Sequence, residues 1–131
     1  MYMLDTDTSI YVLKNRTNKL KHKFKVTKEL YISSITYGEL CFGIENGDAS
    51  LRKKRWKELN LFTRKLIIEP WGENASKDYG LIRADLQKQG NLIGNNDLFI
   101  AAHARSLKMV LVTNNTNEFK RVTNLRIENW I

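Results

Sequence analysis

Cysteine, proline and histidine are nearly absent: one, one and two of them occur in 131 residues. Cys41 alone forbids an intrachain disulfide and any all-cysteine zinc site, and it suits a reducing, cytoplasmic setting. His22 and His103 form no histidine-pair metal motif, and neither a Gly-x-Ser-x-Gly elbow nor a Walker-type phosphate loop is present. These gaps remove the common nucleophile-based and nucleotide-cradling chemistries. Pro70 is the lone proline, and no Gly/Ser-rich linker, repeat or low-complexity tract divides the chain, so residues 1–131 read as one domain. No apolar run approaches the roughly 18 residues of a membrane span. The opening Met1-Tyr2-Met3-Leu4-Asp5 has no basic segment followed by an apolar stretch, so a soluble, non-membrane protein is expected.

Positive charge is plentiful. Lys and Arg number 22 against 14 Asp and Glu, a net charge of +8. Such a surface attracts polyanions, nucleic acid first among them, although charge of this kind also serves solubility alone. The 42% of hydrophobic residues is enough to build one buried core.

The apolar residues come in short runs, each stopped by polar or capping residues and followed by helical periodicity. This is the rhythm of an α/β fold with a mainly parallel sheet. Strands are expected at 2–4, 30–32, 66–68 and 109–112, with a half-exposed edge strand at 125–128. Helices are expected at about 9–14, from 33–36 through Leu40, at 48–65, at 73–89 with a stop at Gly90, and at 97–107. The segment 15–28 reads as polar and lysine-rich.

Three carboxylates fall at element ends. Asp5 follows the first strand, Glu39 lies in the first turns of one helix, and Asp97 opens the most apolar helix. In an open parallel sheet, residues beyond the carboxyl ends of strands one and four converge near the switch in strand order. Each acid also has a structural reading. Asp5 or Asp7 caps the next helix, Asp97 complements a helix dipole, and Thr36-Tyr37-Gly38-Glu39 is a capping box. Clustered carboxylates, however, repel one another and are kept ionised by a bound cation, with Mg²⁺ or Mn²⁺ suiting hard oxygen ligands. A basic protein with an acidic cleft points to phosphodiester hydrolysis by a metal-activated water. His103, inside the apolar helix, reads as a packed histidine and His22 as a solvated one. Trp56, Trp71 and Trp130 read as packing residues before base-stacking ones. The cations of 52–57 and the lysines of 19–25 serve equally as phosphate contacts or as solvated faces.

The stretches Leu4-Asp5-Thr6-Asp7, Ile32–Leu40, Ile93–Ala104 and Leu111–Phe119 together resemble VapC toxins of the PIN-domain family. The resemblance runs from end to end, and the order and spacing of its motifs carry it more than any single motif. It implies a three-layer α/β/α sandwich and a Mg²⁺- or Mn²⁺-dependent endoribonuclease acting on structured RNA such as tRNA or ribosomal RNA, with inhibition of growth when unchecked. By position it makes Asp5 and Asp97 the metal-binding aspartates and Glu39 the third acidic catalytic residue, with Asp7, Thr113 and Asn115 in support. Relatives commonly carry a fourth acid after strand four, where this chain has Asn115. The lost charge leaves open a one-metal mechanism or the use of substrate phosphate oxygens. The resemblance further implies a homodimer, a VapB-type antitoxin that lies across the toxin, and promoter DNA bound only through the antitoxin complex. Two rivals remain: a PIN-like module that binds RNA or protein without cutting, for which Asn115 is the argument, and a metal-dependent phosphohydrolase acting on nucleotides or DNA.

Overall fold

The computed structural model describes residues 1–15 and 17–131. Its centre is a five-stranded, wholly parallel sheet made of β1 (Tyr2–Leu4), β2 (Leu30–Ser33), β3 (Ile67–Glu69), β4 (Val110–Val112) and β5 (Ile127–Glu128), in the order β3-β2-β1-β4-β5. β1 is therefore central, with Leu4 level with Ile32 on one side and Val112 on the other. The chain leaves β1 toward β2 in one direction and later returns to the opposite side for β4. That reversal opens a crevice at the carboxyl ends of β1 and β4.

Strands of three or four residues suffice here because they are buried on both faces. Alternate residues serve two cores. Met3 and Leu111 face a cluster with Ile82, Leu86, Leu98, Ile100 and Phe119. Leu4 and Val112 face the other, with Leu20, Ile32, Leu40, Leu59, Phe62 and Trp130. On the first face lie α5 (Glu73–Lys88) and α6 (Asn95–Ser106); on the second lie α2 (Asn18–Val26), α3 (Ser34–Glu45) and α4 (Arg52–Thr63), with α1 (Thr6–Leu13) packed beside them. The three-layer α/β/α sandwich is as expected, and β5 is the half-exposed edge strand. Among the described residues no helix is long and apolar enough to cross a membrane.

Several boundaries differ from the sequence reading for identifiable reasons. α1 begins at Thr6 rather than near Ser9, because the Asp5 carboxylate caps it by accepting the Thr8 N–H at 2.8 Å. The lysine-rich segment contains α2, capped by the Thr17 hydroxyl. Its inner face consists of little more than Leu20 and Phe24, one helical turn apart, so the apolar period is hidden among lysines. The long basic helix is preceded by a 3₁₀ turn, Ala49–Leu51, and begins at Arg52. α3 is capped by Ser33, which accepts the Ile35 N–H, so Thr36 is not a cap and no capping box forms with Glu39.

The stop at Gly90 is as expected. Gly90 has φ +64°, its N–H reaches the Gln87 carbonyl at 3.0 Å, and the Asn91 N–H reaches that of Leu86 at 2.8 Å, closing the helix with a Schellman motif. Arg105 of α6 clamps Asp78 of α5 with two bonds of 2.8 and 3.0 Å and also holds the Thr123 carbonyl at 3.0 Å. This fork fixes the helix that carries Asp97 against its neighbour.

His103 is a packed histidine, 2% exposed. Its Nδ1 accepts from the Ser33 hydroxyl at 2.8 Å, whose oxygen itself takes the Ile35 N–H, and burial holds the ring below its usual pKa against a hydrogen bond to the Pro70 carbonyl. Trp130 is buried beside Tyr2, and Trp71 is wedged against Phe99 and Tyr79, in line with packing roles. Leu111 is fully buried in the central layer. Leu111→Ala is expected to cost about 3 kcal/mol and to lower the melting temperature by about 10 °C in a thermal denaturation.

Candidate metal centre

The last rung of the central ladder sets the first acid. The Asp5 N–H donates to the Val112 carbonyl at 3.0 Å, so Asp5 leaves the sheet at the β1/β4 crevice. Its side chain is 2% exposed. Burial pushes its pKa up; the Thr113 hydroxyl and the Thr8 N–H, both donating to the carboxylate, pull the other way, and Asp7 adds a like charge. Asp5 is thus the cap of α1, and its charge also reaches Asp97.

Asp97 stands in the first turn of α6, behind an N-cap, Gly94, that offers no side-chain acceptor. Its pKa is pushed up to about 6, first by burial, then by the charge of Asp5 and by hydrogen bonding to and charge from Glu118, with a smaller contribution from Asp7. A helix N-terminus ordinarily favours a carboxylate. Here its neighbours outweigh that preference, which is what a crowded anionic site requires.

Glu118 was not anticipated as a site residue. It lies on a one-turn helix, α7 (Thr116–Phe119), where Asn115 donates from Nδ2 to its Oε2 at 2.8 Å. A carboxylate thus lies three residues beyond Asn115, close enough to Asp97 to act on it, and the Asn115 amide binds it. The available signal was Phe119, a fully buried anchor next to Glu118. A four-residue helix is too short to show a 3.6-residue period.

Thr113 is buried, with its N–H on the Glu128 carbonyl at 2.9 Å and its hydroxyl oxygen accepting the Asn115 N–H at 2.9 Å while it donates to Asp5. It thereby ties β5, the α7 turn and Asp5 together. Asp7 is exposed on α1 and acts on the site through charge alone. Glu39 reaches from α3 to the start of α6, where the Asn96 Nδ2 donates to its Oε1 at 2.8 Å. That bond brings the Glu39 side chain to the first turn of the helix that carries Asp97.

The donor set consists of carboxylate and hydroxyl oxygens, which fits Mg²⁺ or Mn²⁺ better than a soft metal. Among the described residues no three acidic, histidine or cysteine side chains already close around one point. An ion held here would complete its shell with water and phosphate oxygens, as Mg²⁺ commonly does.

Glu39 also lines a groove of about 840 Å³ between α1, α3 and α4, with Ile10, Leu13, Leu40 and Ile44 on its apolar side and Lys54 and Arg55 on its basic side. A smaller hollow of about 440 Å³, lined by Arg105, Lys108 and Arg126, lies at the opposite end of the sheet, remote from the acids.

A family model for the PIN domain matches residues 2–125. The chain belongs to the PIN-domain family. Within it the similarity is to VapC proteins. Ribonuclease VapC2 of Haemophilus influenzae is 42% identical over 99% of this chain and 98% of its own length. The tRNA(fMet)-specific endonuclease VapC of Shigella flexneri is 35% identical over 98% and 97%. The crystal structure of VapBC2 from Rickettsia felis bound to a promoter DNA fragment contains a chain that superposes with a TM-score of 0.91 at 34% identity, covering 99% of this chain and 98% of that one. Across nearly the whole of this chain, the similarity to VapC proteins thus holds in both sequence and fold.

The sign of the Asp97 effect sets a prediction for the metal-free protein. A folded pKa of about 6 against an ordinary 3.8 means that the acid form stabilises the fold below pH 4, and that this contribution is lost as pH rises through 6. In EDTA at pH 7.5, Asp97→Asn is expected to raise stability by about 1 kcal/mol, a value discounted because the carboxyl is only half-buried. Thermal denaturation should show that gain shrinking toward pH 4.

Proposed function

We propose that this PIN domain is a divalent-metal-dependent endoribonuclease, the toxin of a toxin–antitoxin pair, hydrolysing structured RNA such as tRNA or ribosomal RNA. The observation that carries the reading is the crowding of Asp5, Asp97 and Glu118 at the β1/β4 crevice of a chain with net charge +8. Such a cleft repels a phosphodiester by itself and accepts one through a cation. Bound Mg²⁺ or Mn²⁺ would neutralise the scissile phosphate and lower the pKa of a water for in-line attack.

The protein's own part is to hold the donors. Asp5 and Asp97 are the proposed metal ligands, with Glu118 beside Asp97 and Glu39 at the first turn of α6. Thr113 orients Asp5, and Asp7 adds negative field. The exposed cations of α4 and α2 supply phosphate contacts that position RNA without reading its sequence. The names of the relatives support RNA as the substrate, and tRNA among the RNAs.

The groove between α1, α3 and α4 suits a segment of a VapB-type antitoxin, with apolar residues in the groove and Glu39 lining it to pair with a basic side chain. VapBC2 of Rickettsia felis, a complex on promoter DNA, supports that partnership and DNA contact by the complex. A homodimer and a cytoplasmic setting complete the reading. Glu118, beside Asp97, supports the cutting reading over the non-cutting module, for which the argument was the missing acid at Asn115.

Purified protein freed of antitoxin is expected to cut total RNA into discrete fragments with Mg²⁺ or Mn²⁺ and to leave it whole in EDTA. Asp5→Asn and Asp97→Asn should each reduce kcat/KM by about 100-fold or more while the protein stays folded. Because a cation must displace the proton from Asp97, the cutting rate should rise with pH toward 6 at limiting metal, and the midpoint should move lower as metal is added. RNA left intact by folded, metal-loaded protein, or full activity in Asp97→Asn, would sink the proposal.

A further inference from the structure

We propose that Asn96 and Asn115 are positioning residues, each using its amide to fix one oxygen of a site glutamate, so that Glu39 and Glu118 present their carboxylates to the cation in one orientation. The inference rests on the metal-centre reading above. The two bonds are alike: Asn96 Nδ2 to Glu39 Oε1 and Asn115 Nδ2 to Glu118 Oε2, each 2.8 Å.

The four acids differ in how they are held. Asp5 is fixed by the Thr8 N–H and the Thr113 hydroxyl, and Asp97 has a short side chain rooted in the first turn of a packed helix. Glu39 and Glu118 reach in on longer arms with one more rotatable bond, and without a partner they would sample several orientations at an entropic cost to binding. A neutral amide suits the task. Lysine or arginine in its place would cancel the carboxylate charge and repel a cation, whereas an asparagine amide orients the oxygen and leaves its charge available.

Asn96 has a second consequence. It precedes Asp97 directly on α6 and binds a residue 57 positions away on α3. The bond therefore ties the orientation of Glu39 to the turn that carries Asp97. Asn96 is exposed, and its bond to Glu39 is solvent-facing. A bond of that kind adds little to folding, so a purpose in the fold alone does not account for it.

The test measures Mn²⁺ affinity without RNA, by electron paramagnetic resonance or calorimetric titration, alongside kcat and KM for RNA cutting. Asn96→Ala is expected to weaken Mn²⁺ binding about tenfold and lower kcat by roughly 10- to 100-fold, with KM and the melting temperature nearly unchanged. Asn96→Gln, which keeps the amide, should recover part of both. In a Glu39→Gln background, Asn96→Ala should add almost nothing, because its effect passes through that carboxylate. Asn115→Ala should reproduce the loss through Glu118.

Wild-type Mn²⁺ affinity and kcat in Asn96→Ala would overturn the proposal. So would a change confined to KM, which would make Asn96 an RNA contact, or a full additional loss in the Glu39→Gln background. Asp97→Asn run in parallel separates the two levels of argument. If it abolishes Mn²⁺ binding and cutting while Asn96→Ala leaves both intact, only the positioning role falls. If the wild-type protein neither binds Mn²⁺ nor cuts RNA, the metal centre and the positioning role fall together.

Discussion

The N–H of Asp5 on the carbonyl of Val112 is the last rung of the central ladder, and the site depends on it. It closes β1 against β4 and leaves the Asp5 side chain at the point where strand order reverses. From there the carboxylate does two things at once: it caps α1 and it supplies the negative charge that Asp97 meets across the crevice. Loss of that rung would release the helix start and the site acid together. The short strands can carry this responsibility because both of their faces are sealed by helices, so the rung lies in a dry environment where backbone hydrogen bonds are hard to give up.

The acidic cluster stands in tension with the fold that holds it. Burial and mutual repulsion raise the pKa of Asp5 and Asp97, and raised carboxylate pKa values mean that the ionised site works against the folded state. The surrounding structure offsets this with features that have no chemistry of their own. The Arg105–Asp78 fork keeps α6 from moving. The Thr113 hydroxyl joins β4 to Asp5, and the buried Phe119 anchors the turn that carries Glu118. A rigid frame thus holds acids whose burial and repulsion would otherwise drive them apart.

Charge is also divided in space. Asp5, Asp97 and Glu118 act on one another at the crevice, while the lysines of α2 and most cations of α4 are exposed. A net charge of +8 gives the surface as a whole an attraction for polyanions. The groove that Glu39 lines combines apolar residues of α1 and α3 with both basic and acidic residues, Lys54, Arg55, Asp48 and Glu58 among them.

Sequence alone determined the α/β rhythm and the parallel sheet, and it marked three acids at element ends. Buried three- and four-residue strands stand out as unbroken apolar runs, and Asp5, Glu39 and Asp97 each follow a strand or open a helix. It also marked the stop at Gly90 and the packed character of His103, because both follow from local backbone or local periodicity. Tertiary structure decided the rest. α2 was hidden because two apolar residues on a lysine-rich helix give no visible period. Glu118 was hidden because a single turn has no period at all, and its place near Asp97 follows from the burial of Phe119 beside it. The pairing of Asn96 with Glu39 joins residues 57 apart, and no local pattern records which distant carboxylate an exposed amide will meet. Periodicity encodes which face of an element is buried, but the meeting of two polar side chains is fixed only once the layers have packed.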